Sequence, residues 1–180
     1  MRRPIATILT LVPLALPWPA AATTVTGSFN GHSYEAVSSA GLGWAAAKLA
    51  ARKRGCGWNL AALTSQAEDQ FVFGLIKNKA EFFVDTDGPW LGGFQKSSRA
   101  EPKGNWAWVT GETFGFKNWA PGEPDNKTKG DQNFEPGIKA GQSEEVIHYL
   151  ATGAWDDANV TAQAPGYILE FDPARQAACK

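Results

Sequence analysis

An α+β domain is what the sequence predicts, and three observations carry the prediction. The chain has 180 residues, with 43% hydrophobic and 19% charged, which suits one folded domain and excludes a disordered polymer. Helical patterns cluster early, over residues 44–54 and 66–76. After them come short apolar runs separated by Gly, Pro and aromatic residues without helical period, the mark of a loop-rich sheet. Eight Trp and ten Phe residues supply a core of large flat side chains. With 17 basic against 18 acidic residues, no clustered positive charge invites nucleic acid.

The chain starts with a different composition. Its first 22 residues hold no acidic group, Arg2 and Arg3 form a basic start, Ile5 to Trp18 is mostly apolar, and Ala20-Ala21-Ala22 offers a small-residue cleavage site. This is the anatomy of a secretory signal peptide. A membrane anchor fits less well, because the apolar stretch is broken by Pro13 and Pro17 and falls short of the roughly 20 residues a bilayer span requires. The expected organisation is a signal peptide over 1–22, a domain over 23–172 and a short tail over 173–180, secreted or periplasmic and without a membrane span. Loss of Arg2 and Arg3 leaves 15 basic against 18 acidic residues, a net charge of −3. In an oxidising compartment Cys56 and Cys179 form an intramolecular disulfide; a free thiol on the tail and an intermolecular bridge are the competing readings.

Along the domain, Ser33 to Val37 reads as a strand. Trp44 to Arg54, rich in Ala, Lys and Leu and stopped by Gly55, reads as a first helix. Ser65-Gln66-Ala67-Glu68 is a capping box, and Phe71, Val72, Leu75 and Ile76 recur on one face of the helix it opens. Strands are expected at Trp90-Leu91-Gly92-Gly93, Trp106-Ala107-Trp108-Val109, Val146 to Leu150 and Tyr167 to Phe171. Between about Asn118 and Ser143 runs an irregular stretch of the length that function or disorder explains. It carries Glu123-Pro124-Asp125-Asn126 and Asp131, with Glu144, Glu145, Asp156 and Asp157 after it. Hard oxygen donors on irregular backbone suit Ca2+, which takes about six to eight of them; a merely solvated acidic loop accounts for the same charges.

The order of motifs adds to this reading. Gly31-His32-Ser33-Tyr34-Glu35, the Trp44 helix, Leu60-Ala61-Ala62-Leu63 and Trp90-Leu91-Gly92-Gly93 are followed by Asn118-Trp119-Ala120-Pro121-Gly122-Glu123-Pro124-Asp125-Asn126. Gly153-Ala154-Trp155-Asp156-Asp157 and Gly166-Tyr167-Ile168-Leu169-Glu170-Phe171 complete the series. In this order and spacing, from about Phe29 to Phe171, the chain resembles a C-type lectin-like domain, most of all the secreted bacterial members. The resemblance implies a double-loop fold of two helices, short antiparallel strands and a long Ca2+-binding loop. Glu123, Asp125, Asp156 and Asp157 are the implied ligands, and the Glu123–Pro124 peptide is implied to be cis. Glu144 is the favoured fifth ligand, with residues 127–143 as an insertion and Asp131 as the alternative. Carbohydrate would meet Glu123, Asp125, Glu144 and Asp156.

Two departures qualify the implication. The family's last cysteine position holds Leu169, and Cys179 lies ten residues later. Both asparagines of the family's sugar site are replaced, by Asp125 and Asp156. A carboxylate only accepts hydrogen bonds, so two sugar-facing donors are missing, and five carboxylates around one Ca2+ leave a charge of −3. The expected function is a secreted Ca2+-dependent carbohydrate-binding module for a glycan or cell-surface carbohydrate. The alternative is a lectin-like domain that binds a protein ligand or uses Ca2+ only structurally. No catalysis is expected: adjacent acids on a strand point to opposite faces, and no hydrolase, zinc or nucleotide motif occurs. Trp119 and Trp155 are expected in the core and loop base rather than as sugar platforms.

Overall fold

The computed structural model describes residues 22–96, 102–126 and 144–179. The expected signal segment, apart from Ala22, the candidate ligand Asp131 and the expected insertion over 127–143 lie outside those residues. Strands β1 (Thr24–Phe29) and β2 (His32–Gly43) precede helix α1 (Trp44–Lys53), and β3 (Trp58–Leu60) separates it from α2 (Gln66–Gly74). Strands β4 (Asp87–Gln95), β5 (Trp106–Trp108), β6 (Val146–Leu150), β7 (Trp155–Ala158) and β8 (Gln163–Phe171) follow, then a short helix α3 (Pro173–Ala177). One sheet takes the order β1-β2-β8-β4-β6-β7, with β3 on β8 and β5 on β4.

The α+β class holds, with four corrections. A further strand, β1, precedes the expected Ser33 to Val37 strand ahead of the helices. The expected strand Ser33 to Val37 is part of a twelve-residue strand. Pairing is not wholly antiparallel, since Trp90 in β4 meets Tyr167 in β8 in parallel. The tail carries a third helix, where Asp172 caps the Ala174 N–H and Pro173 opens the first turn. The β1–β2 hairpin turns on Asn30-Gly31, whose φ values of 49° and 87° are the left-handed pair that a two-residue type I′ turn requires.

Successive residues on each strand face opposite ways, and the core divides accordingly. Tyr34, Ile147, Tyr149 and Ile168 join Val72 of α2 and Ile76 of the turn that follows it, with Trp108 and Trp155. Val37, Val146 and Leu169 join Trp44, Ala47 and Ala51 of α1, with Trp90 and Leu60. One helix therefore covers each face. Gly92 permits a close contact between segments: a Cβ there would lie 2.6 Å from the Leu60 carbonyl oxygen and 2.9 Å from that of Ala61. The Cys56 and Cys179 sulfurs meet, with Cα atoms 6.4 Å apart, inside the span of a disulfide.

The capping box is realised in half. Ser65 Oγ accepts from the Glu68 N–H at 3.3 Å, but the Glu68 carboxylate turns to Thr64, taking its N–H at 2.7 Å and its hydroxyl at 2.9 Å. It also takes the Tyr34 hydroxyl at 2.5 Å. Beside it, Glu170 accepts from the Ala62 N–H at 2.8 Å and meets His32 Nδ1 at 2.5 Å. Burial pushes Glu170 up to about 7 despite those two partners. Burial alone would lower His32, but the hydrogen bond and charge of Glu170, with Asp172 and Glu112, raise it on balance.

Both shifts have the same consequence. Between the ordinary Glu value of 4.5 and about 7 the folded chain holds a proton on Glu170 that the unfolded chain has lost. The His32 contribution is complete below its ordinary 6.5 and disappears as pH rises through its higher folded value. Stability from this pair therefore falls as pH rises towards and through neutrality. Urea melts from pH 5 to 9 are expected to show that fall, flattened in His32→Gln; an equally steep fall in the variant would refute the assignment.

Candidate functional site

Three segments bring five carboxylates together. Strand β7 carries Asp156 and Asp157, the approach to β6 carries Glu144, and the loop after Asn118 carries Glu123 and Asp125. The loop is fastened at its base: Trp155 N–H donates to the Asn118 carbonyl and Ala120 N–H to the Trp155 carbonyl, each at 2.8 Å. The Glu123 N–H then closes a turn on the Ala120 carbonyl at 3.0 Å, and the Glu123–Pro124 peptide is cis. That reverses the chain, so Asp125 and Asn126 face β7.

Asp157 stands where the segments meet. Its two carboxylate oxygens accept the N–H groups of Asp125 and Asn126, both at 3.1 Å. Asn126, at φ 54°, accepts the Glu144 N–H on its side-chain oxygen at 2.5 Å. Ligand atoms of Glu123, Asp156 and Asp157 lie within 4.8 Å of one another, as do those of Asp125, Glu144 and Asp157. Every expected ligand among the described residues thus joins one cluster through Asp157. Glu144, Asp156 and Asp157 are each 3% exposed.

The electrostatics of that cluster favour a proton or a cation that offsets its charge. Burial pushes Asp157 up to about 7, against the pull of the Asn126 and Asp125 N–H groups and with further upward pushes from Asp156 and Glu123. An all-oxygen, all-anionic donor set suits Ca2+, whose ligand distances of about 2.3–2.6 Å place opposed oxygens roughly 4.6–5.2 Å apart. The residues present therefore fit the ion. They fit sugar hydroxyls only as acceptors, because Asp125 and Asp156 bring no N–H.

One residue without a role in the sequence reading holds the site in place. Asp69, in α2 and 4% exposed, accepts from Trp155 Nε1 at 2.9 Å and from the Tyr149 hydroxyl at 2.8 Å on one oxygen. Its other oxygen takes Asn118 Nδ2 at 2.8 Å. That same amide nitrogen reaches the Gly153 carbonyl at 2.9 Å. One buried carboxylate thus joins helix, sheet and loop base. Nothing local to Asp69 signals it, since an acid beside Glu68 in the first helical turn looks like a solvated charge. Trp155 is fully buried and Trp119 packs against it, ring centroids 5.9 Å apart, so both serve the core and loop base.

No family model matches the chain. It is 33% identical over 114 residues to ladderlectin from Oncorhynchus mykiss, covering 63% of this chain and 50% of that protein. It is 30% identical over 131 residues to asialoglycoprotein receptor 2 from Rattus norvegicus, covering 72% and 35%. The chain thus spans half or less of the length of these relatives. Human lithostathine superposes with a TM-score of 0.61 at 22% identity, over 91% of this chain and 96% of that one. The cow CD23 carbohydrate-recognition domain, solved in the presence of a GlcNAc2Man3 oligosaccharide, gives 0.58 at 20%, over 81% and 92%. These likenesses give the fold as C-type lectin-like. The relatives found are animal proteins, so the expected closeness to secreted bacterial members has no support among them. Lectins and receptors, not enzymes, are what the chain is similar to, in keeping with a domain without catalysis.

Proposed function

We propose that this chain, which carries a C-type lectin-like domain, is an exported module that binds Ca2+ through Glu123, Asp125, Glu144, Asp156 and Asp157 and presents the loaded site to carbohydrate. The observation that carries the reading is the convergence of carboxylates from three separate segments on the buried Asp157. The ion would supply the compensating charge and coordinate ligand hydroxyls. Glu123, Asp125, Glu144 and Asp156 would accept the hydroxyl protons. Export rests on the first 22 residues acting as a signal peptide; among the described residues no helix is long and apolar enough to cross a membrane. Carbohydrate as ligand draws on structural neighbours such as the CD23 domain with its oligosaccharide and a dendritic cell inhibitory receptor 2 domain in complex with N-glycan.

A second reading is favoured by one feature: Asp125 and Asp156 cannot donate to a sugar. On that reading the ion only stabilises the loop, or the loop meets a protein. A glycan array run with Ca2+ and again with chelator separates the two. The carbohydrate reading expects chelator-sensitive binding that Glu144→Gln reduces at least tenfold and Asp131→Asn leaves unchanged. No binding to any glycan, alongside a calcium-induced rise in melting temperature, would refute it.

A further inference from the structure

Asp156 belongs to a second group of side chains, outside the calcium cluster. Strand β7 pairs with β6 so that Asp156 lies opposite His148, and β4 pairs with β6 so that Asp87 and Trp90 lie opposite Leu150 and His148. One ligand atom each from Asp87, His148 and Asp156 falls within 4.8 Å of the other two. His148 and Asp156 are 3% exposed and Asp87 9%. Asp87 follows the exposed turn residues Asp85 and Thr86, which gives the group a short way to solvent.

The histidine ring is already set. Its Nδ1 lies 2.8 Å from the Tyr149 carbonyl oxygen. A carbonyl oxygen only accepts, so Nδ1 carries the hydrogen, and in the neutral ring Nε2 holds the lone pair. The Trp90 ring meets the imidazole edge to face at 5.8 Å between centroids, which fixes its plane. Nε2 stands 3.8 Å from Asp156 Oδ2, longer than a hydrogen bond. Ligating histidines characteristically donate the remote N–H to a backbone carbonyl in this way, which fixes the tautomer for the metal.

From this geometry we propose that Asp87, His148 and Asp156 form a binding site for a divalent transition cation of the zinc type, with Asp156 shared with the carboxylate cluster. One imidazole nitrogen and two carboxylates suit Zn2+, whose bonds of about 2.0–2.2 Å put tetrahedral ligand atoms roughly 3.4 Å apart. The 3.8 Å separation of Nε2 and Oδ2 needs only a small closure to reach that. Ca2+ prefers oxygen alone, so the nitrogen separates this site from its neighbour. The proposal stands on its own residues and does not require that carbohydrate bind.

The test is a Co2+ titration of the metal-free full chain in excess Ca2+, followed by visible absorption and by competition with Zn2+. One equivalent of Co2+ is expected to give a ligand-field band characteristic of nitrogen and oxygen ligation, abolished by Zn2+. Affinity should fall at least tenfold in both Asp87→Asn and His148→Gln, and stay unchanged in His32→Gln, which alters the other histidine-containing carboxylate group. If His148→Gln does not fold, Asp87→Asn at the start of β4 decides the matter with the wild type. No band, a band that both variants keep, or one that His32→Gln removes would overturn the site. The calcium-induced rise in melting temperature, measured on the same samples, reports separately on the calcium cluster.

Discussion

Saturating Ca2+ is expected to raise the melting temperature of this domain by about 5–10 °C, and Asp157→Asn is expected to remove most of that rise. The magnitude follows from mass action: calcium at 100 times its dissociation constant contributes about 2.7 kcal/mol to the folded state, and a domain of this size gains roughly 2–4 °C per kcal/mol. Asp157 dominates because it belongs to both carboxylate groups and holds the Asp125 and Asn126 backbone at 3.1 Å. Losing one of its oxygens removes a ligand and loosens the loop that brings two others. The rise should also depend on pH. In calcium-free protein, between the ordinary Asp value of 3.8 and about 7, folded Asp157 keeps a proton that unfolded Asp157 has released. Its contribution to calcium-free stability therefore falls as pH rises across that window. Calcium must displace that proton, so its stabilising effect grows with pH across the same window. Differential scanning calorimetry at pH 5.5 and 7.5, with calcium and with chelator, checks both statements. A rise that Asp157→Asn leaves intact would sink the assignment.

The second large effect is expected at a residue that would touch neither ion nor ligand. Asp69→Ala should cost about 2–4 kcal/mol, because buried donors that lose their acceptor cost roughly 1–3 kcal/mol each. It strands the Trp155 indole N–H and takes one acceptor each from the Tyr149 hydroxyl and the Asn118 amide, which keep the Asp69 and Gly153 backbone carbonyls. Asp69→Asn is the sharper probe. One oxygen still serves Trp155 and Tyr149, while the new amide confronts the Asn118 amide, donor against donor, for about 1–3 kcal/mol. Because Asn118 begins the loop that Trp155 fastens, the same change should weaken calcium binding several-fold. Urea denaturation and a calcium titration of Asp69→Asn measure the two effects; full stability with unchanged calcium affinity would refute the network's role.

How far the chain could be read depended on how local each signal was. The α2 helix was legible because its cap and its apolar face lie within a dozen residues, and both depend on backbone geometry alone. Trp90-Leu91-Gly92-Gly93 announced a buried strand through apolar bulk and glycine. The Asn30-Gly31 hairpin is an equally local signal, with Val25, Gly27 and Phe29 alternating with Thr24, Thr26 and Ser28 ahead of it. Strands β3 and β7, of three and four residues, carry too few side chains for a period of two to show. Glu68 looked like a capping acid and serves Thr64 and Tyr34 instead, because Tyr34 arrives from β2, 34 positions away.

By itself, the sequence determined the class of the fold, the place of the second helix and the five acids that cluster. The fold class and the helix follow from residue type and short spacing, which local sterics and hydrogen bonding convert into structure directly; the five acids are what the resemblance to a C-type lectin-like domain implied. Tertiary structure alone decided that Asp157 is the shared member, that Asp69 fastens the loop base, and that His148 faces Asp87 and Asp156. Each of those joins residues tens of positions apart, and their chemistry depends on which burial and which neighbours the sheet register supplies. A charge becomes a ligand or an anchor only when packing has withdrawn the water around it.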